Sequence, residues 1–146
     1  MLNRLLLTLL SLFLGASLAI ANEDPLPPDE AFIGSVTEVA PGMLEARWEI
    51  VDGYYLYKSK LKFSTDDAGI TLGEADIPAG KIKDDQFLGK VETFRKSVSV
   101  KIPYTRDAGS SDTLTLKTVS QGCADIGICY PPQKKNFTVS LSPVSQ

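Results

Sequence analysis

The chain has 146 residues, with 15 Lys and Arg against 18 Asp and Glu, no histidine, and two cysteines, Cys123 and Cys129. The missing imidazole excludes Ser-His and Cys-His catalysis and histidine-built metal centres, and two cysteines alone make a poor zinc site, so no metal is expected. Neither charge sign dominates a long stretch, which argues against nucleic acid, and there is no glycine-rich phosphate loop or G-x-S-x-G elbow.

Met1 to Arg4 make a short basic start, Leu5 to Leu14 are almost wholly apolar, and Ala19 and Ala21 close the stretch as in an A-x-A cleavage site. This layout predicts a secretory signal peptide over residues 1–21, cleaved after Ala21, in preference to a retained membrane anchor. Residues 22–30, "NEDPLPPDE", are acidic and proline-rich and read as an extended N-terminal arm. The exported part carries 14 basic and 18 acidic residues. At about 125 residues it is one domain's length and long enough to bury a real core without a disulfide.

From residue 31 to 142 the pattern is strand-like, with a short tail at 143–146. "MLEARWEIVDG" puts Leu44, Ala46, Trp48 and Ile50 on one face and Glu45, Arg47 and Glu49 on the other, the period of a half-buried strand. "YYLYKSKLKFS" continues the alternation, with Tyr55 and Tyr57 sharing a face and Leu61 and Phe63 forming a second apolar set. "SVSVKIPY", "TLTLKTVS" and "KNFTVSL" read as further strands, separated by turn signals such as Pro41-Gly42, Asp52-Gly53 and "RDAGSSD". Short strands with polar turns every 8 to 12 residues, and no long helical period, predict an all-β, single-domain, immunoglobulin-like antiparallel β-sandwich.

"GCADIGICYPP" lies between the last two strands, so the cysteines sit where neighbouring strands approach a connection. An even cysteine count in an exported protein predicts that the pair bonds to itself. Closing a loop of about seven residues is worth roughly 2 kcal/mol, near the low end for disulfides. The bond is therefore a weak staple, yet small local bridges are common in exported domains. Chemistry alone leaves a structural and a redox role both open, and the spacing is not C-x-x-C.

"QGCADIGICYPP", together with "WEIVDGYYLYKSKLKF" and "IPAGKIKDDQFLGKVETFRKSVSV" in the same order, resembles the N-terminal periplasmic domain of the thiol:disulfide interchange protein DsbD over residues 30 to 142. The chain departs from that pattern at Ser120, where the family has tyrosine. The resemblance implies a periplasmic domain with an immunoglobulin-like sandwich and a catalytic pair, Cys123 and Cys129, and no cofactor beyond this redox-active disulfide. By position Cys129 would be the exchanging sulfur and Cys123 the resolving one. Electrons would come from the thioredoxin-like domain of a membrane electron transporter. They would pass to periplasmic thioredoxin-like acceptors, including the disulfide isomerase and a cytochrome c maturation protein.

"DDQFLG" is similar to the family's cap loop. The resemblance implies that Phe87 covers the disulfide until a partner displaces the loop, with Gly89 as hinge, and that Tyr55 and Tyr57 stand beside the site. Asp85 matches the loop's acid, whereas Gln86 replaces a glutamate and Leu88 an aromatic residue. A carboxylate near a thiol disfavours the thiolate, so losing one of two acids predicts a more readily formed Cys129 thiolate than in members that keep both. Two rivals remain: a non-catalytic sandwich that binds a partner, with a structural 123–129 bond, and a folding factor that binds clients at a strand edge.

Overall fold

The computed structural model describes residues 24–143. The expected signal peptide, its cleavage after Ala21 and the last residues of the tail lie outside the described residues. At the end of the segment expected to be extended, 22–30, Pro28–Ala31 form one helical turn, α1, that runs one residue past it. Proline suits the first helical position, where its missing N–H leaves no bond unmade, and the turn buries Ala31.

The chain then runs through β1 (Phe32–Ala40), β2 (Met43–Ile50), β3 (Tyr54–Tyr57), β4 (Lys62–Ser64), β5 (Ile70–Leu72) and β6 (Lys81–Asp85). It continues through β7 (Gly89–Phe94), β8 (Ser97–Arg106), β9 (Thr113–Ser120), β10 (Gly122–Ala124), β11 (Ile128–Cys129) and β12 (Gln133–Ser140). Three antiparallel sheets result, in the strand orders β1-β2-β8-β5, β12-β9-β4 and β11-β10-β3-β7-β6. They make the immunoglobulin-like sandwich that the strand pattern predicts.

The alternation expected in β2 is the alternation observed. Leu44, Ala46, Trp48 and Ile50 are buried, and across the pairing β8 buries Val98, Val100, Ile102 and Tyr104. From the facing sheet β9 contributes Leu114 and Leu116, β12 contributes Val139, and Leu141 follows. Trp48 belongs to this core, its ring 6.0 Å from that of Phe63. Burying these side chains supplies the main driving force of the fold.

The third sheet departs from simple alternation. All four residues of β3 are buried, because the strand is covered on both faces. Tyr54 and Leu56 join the main core, while Tyr55 and Tyr57 form a second cluster with Cys123, flanked by Val91 and Cys129. The strand also stops earlier than its pattern suggests, since Lys58–Lys60 turn as a single 3-10 helix before Leu61 re-enters the core. The second cluster is where the predicted site residues meet.

Candidate functional site

Two hairpins with similar tips build the site. In the first, Cys123 and Cys129 are opposed partners on β10 and β11, joined by a disulfide, and the chain turns through Asp125, Ile126 and Gly127. In the second, Asp85 and Gly89 are opposed partners closing β6 on β7, and the chain turns through Gln86, Phe87 and Leu88. Each turn needs a residue in the left-handed region, and glycine supplies it at Gly127 (φ +96°) and Gly89 (φ +74°).

β10 pairs with β3, so that Cys123 stands opposite Tyr55. The contact is close. A Cβ on Gly122 would meet the carbonyl oxygen of Tyr55 and stand 2.7 Å from the Phe32 ring, so only glycine lets the cysteine strand lie against the tyrosines.

The two sulfurs differ in access. Cys123 is 1% exposed, whereas Cys129 is half-buried and lines a cavity of about 220 Å³ with Tyr57, Lys60, Phe87, Leu88 and Gln121. The Tyr57 hydroxyl lies 3.0 Å from Sγ of Cys123 and 3.7 Å from Sγ of Cys129. Phe87 (58% exposed) and Leu88 (44% exposed) form the cavity's other wall, on the tip of the second hairpin.

Asp85 ties the two hairpins together. Its Oδ2 accepts hydrogen bonds from the hydroxyls of Tyr55 (2.7 Å) and Tyr57 (2.9 Å). Its Oδ1 accepts the backbone N–H groups of Phe87 (2.8 Å) and Leu88 (3.0 Å), closing the turn locally. Burial pushes the Asp85 carboxyl up, but the hydrogen bonds from Tyr55, the Phe87 amide, Tyr57 and the Leu88 amide together hold it below the usual carboxylate range. Burial and the neighbouring carboxylate push Tyr55 well above the usual phenol range, and burial raises Tyr57 as well. At neutral pH the cluster therefore holds one carboxylate and two protonated phenols.

The remaining predicted residues fall around this centre. Gln86 is exposed and turns toward the cysteine hairpin, with Nε2 3.5 Å from where a Cβ on Gly127 would stand. It lines a polar cleft between the two hairpin tips with Tyr55, Asp85, Asp125 and Ile126. Ser120, where the family pattern has tyrosine, is buried at the end of β9.

Sequence reasoning missed Arg95 and Asp125. Arg95 makes a two-pronged ion pair with Asp125 (2.7 and 3.0 Å), reaches the Tyr54 carbonyl at 3.3 Å, and lies 5.1 Å from the Tyr55 ring centroid. The Asp125 amide also donates to the Gly53 carbonyl at 2.8 Å, so the cysteine turn is held at both its side chain and its backbone. Asp125 lies inside the cysteine motif and was open to notice; Arg95, 30 residues upstream, carries no local signal.

The sequence family described as "Thiol:disulfide interchange protein DsbD, N-terminal" matches residues 22–141. Thiol:disulfide interchange protein DsbD of Ralstonia nicotianae is 39% identical over 148 residues, covering 99% of this chain and 24% of the relative. The Neisseria meningitidis serogroup A protein of that name is 36% identical over 138 residues, covering 92% of this chain and 22% of the relative. The chain thus spans about a quarter of the length of the curated relatives it matches. Among solved structures, the reduced DsbD N-terminal domain of Neisseria meningitidis superposes with a TM-score of 0.70 at 36% identity, covering 79% of this chain and 89% of that one. A complex between the DsbD N-terminal and PilB N-terminal domains from the same organism matches with a TM-score of 0.66 at 34% identity, covering 79% and 87%.

Proposed function

The chain belongs to the family of DsbD N-terminal domains, and on that premise we propose that it is a periplasmic protein-disulfide reductase module that relays electrons through Cys123 and Cys129. Its donor is a thioredoxin-like domain of a membrane electron transporter. Its acceptors are periplasmic thioredoxin-like proteins, the disulfide isomerase and a cytochrome c maturation protein among them. The signal peptide directs export and is removed after Ala21. The meningococcal relative's complex with the PilB N-terminal domain supports a partner that is itself a folded domain.

One observation carries this reading. A fully buried sulfur, Cys123, is bonded to a sulfur, Cys129, that opens into a cavity it shares with Phe87 and Leu88 on the tip of the second hairpin. A staple has no need of such asymmetry. In the relay, a donor thiolate attacks Sγ of Cys129, forms a mixed disulfide and expels the Cys123 thiolate. A second donor thiol then displaces Cys129, leaving two cysteines reduced here and one disulfide in the donor. Discharge runs in reverse order. The Cys129 thiolate attacks the acceptor disulfide, one acceptor thiolate leaves, and Cys123 then attacks Cys129 to restore the bond and release the second. The departing Cys123 thiolate takes one of the donor's two protons and solvent the other, so Cys129 keeps its charge until it attacks. On discharge the two acceptor thiolates take up one proton from Cys123 and one from solvent.

The surrounding residues have distinct tasks in this scheme. Phe87 and Leu88 keep small thiols from Cys129, and Gly89 gives their tip freedom to move. When Cys123 is reduced, its thiol can donate to the Tyr57 oxygen, whose own proton points to Asp85. That chain favours the neutral thiol at Cys123 and suits a resolving cysteine that stays protonated until needed. Gln86 leaves the loop one carboxylate short, which favours the Cys129 thiolate.

The reduction potential tests the reading against a permanent staple. A relay disulfide sits above the range of structural bonds, which lie below about −300 mV. A value in the structural range would overturn the proposal and leave a non-catalytic binding sandwich in its place.

A further inference from the structure

The cavity beside Cys129 holds one cation that the disulfide chemistry just described does not use. Lys60 ends the 3-10 turn that follows β3, is half-buried, and lines this cavity with Tyr57, Phe87, Leu88, Gln121 and Cys129. Its neighbour Lys58 is occupied, its ammonium 3.0 Å from Glu92. Among the described residues no acid pairs with Lys60. Tyr57 brings a neutral hydroxyl and Gln121 a neutral amide to the same space, and the Asp85 carboxylate is taken up by Tyr55, Tyr57 and two backbone amides. A lysine without a counter-charge, lining the same cavity as a sulfur, gains most when that sulfur becomes an anion.

We propose that Lys60 is the counter-charge of the Cys129 thiolate, a positioning residue that shares the Cys129 cavity and stabilises the negative sulfur formed there on reduction. The anion exists only between reduction of the disulfide and attack on the acceptor. During attack its electron pair enters the new sulfur–sulfur bond, and the negative charge departs on the acceptor's leaving sulfur. Lys60 therefore acts on the reactive state and not on the oxidised one. It opposes Asp85, whose charge disfavours a thiolate nearby. The purpose of this arrangement rests on Cys129 being the exchanging sulfur, but the charge effect can be measured without any partner.

The test uses Cys123→Ser, in which Cys129 is the lone thiol, and follows its alkylation rate against pH. Adding Lys60→Gln raises the alkylation midpoint by about half a pH unit or more, and Lys60→Arg leaves it near the parent value. Lys60→Glu raises it further than Lys60→Gln, and added salt shrinks the differences. An unchanged midpoint in Lys60→Gln overturns the proposal. So does an equal rise in Lys60→Gln and Lys60→Arg, which would mark a packing effect. Failure of the relay reading looks different: the midpoint would depend on the charge at residue 60 while Cys129 formed no mixed disulfide with a thioredoxin-like domain.

Discussion

The hydroxyl of Tyr57 lies 3.0 Å from Sγ of Cys123 while donating its proton to Oδ2 of Asp85, 2.9 Å away. A carboxylate can only accept, so the tyrosine oxygen offers the sulfur a lone pair. The disulfide has no proton to give it; the reduced Cys123 thiol does. The contact is therefore worth more in the reduced protein than in the oxidised one. Tyr57→Phe should cost the reduced form about 1 kcal/mol more than the oxidised form, which makes the reduction potential more negative by about 20 mV. Equilibration against glutathione checks this, and a potential that stays put or rises contradicts it.

Asp85 makes the stability of the cap hairpin depend on acid. Its carboxyl is held below the usual range in the folded protein, so its stabilisation is complete above the unfolded value of about 4 and is lost as pH falls through the lower folded one. Protonation takes away the charged acceptor of the Phe87 and Leu88 amides. Hydrogen exchange at those two amides should accelerate below pH 4 relative to amides of β2, after correction for intrinsic rates. In Asp85→Asn the two amides should exchange rapidly at neutral pH too, with a stability loss of about 1–3 kcal/mol.

Phe87 is more than half exposed, so its removal should barely change stability. Its effect belongs to kinetics. Phe87→Ala should speed reduction of the disulfide by a small dithiol several-fold while the thermal midpoint moves little. Equal rates in the variant and the parent would deny Phe87 a shielding role.

Gly122→Ala tests the close approach of β10 to β3. The added methyl would collide with the Tyr55 carbonyl and the Phe32 ring, neither of which can retreat cheaply. A loss of about 3 kcal/mol or more is expected in chemical denaturation. A loss below 1 kcal/mol would mean that the two strands separate easily.

The parts of this structure legible in the sequence were those with a local period. Alternation in "MLEARWEI" placed Leu44, Ala46, Trp48 and Ile50 in the core, and it put Tyr55 and Tyr57 on one face, where both now reach the same carboxylate oxygen. It could not show that the opposite face of β3 is buried as well, since a strand covered on both sides loses the polar partner that alternation relies on. Proline content suggested an extended arm, yet Pro28 opens a helical turn because its fixed φ suits that position as well as an extended one. Asp85, Phe87 and Leu88 could be linked to the cysteines only through family resemblance, since 35 residues or more separate them from Cys123 in the chain. Arg95 and Lys60 lie inside the matching blocks, but the resemblance gave neither of them a role. Lys60 ends a 3-10 turn and Arg95 lies between β7 and β8, and neither residue type nor spacing announces what they reach across the fold.

The most direct test of the account is which cysteine captures a partner. Cys123→Ser and Cys129→Ser, each reduced, are mixed with an oxidised thioredoxin-like domain whose own resolving cysteine has been replaced and whose remaining thiol is activated as a mixed disulfide. The account predicts that Cys123→Ser, which keeps the accessible Cys129, forms the stable covalent complex rapidly, while Cys129→Ser, which keeps the buried Cys123, forms it many-fold more slowly. Equal trapping by the two variants, or faster trapping through Cys123, would contradict it.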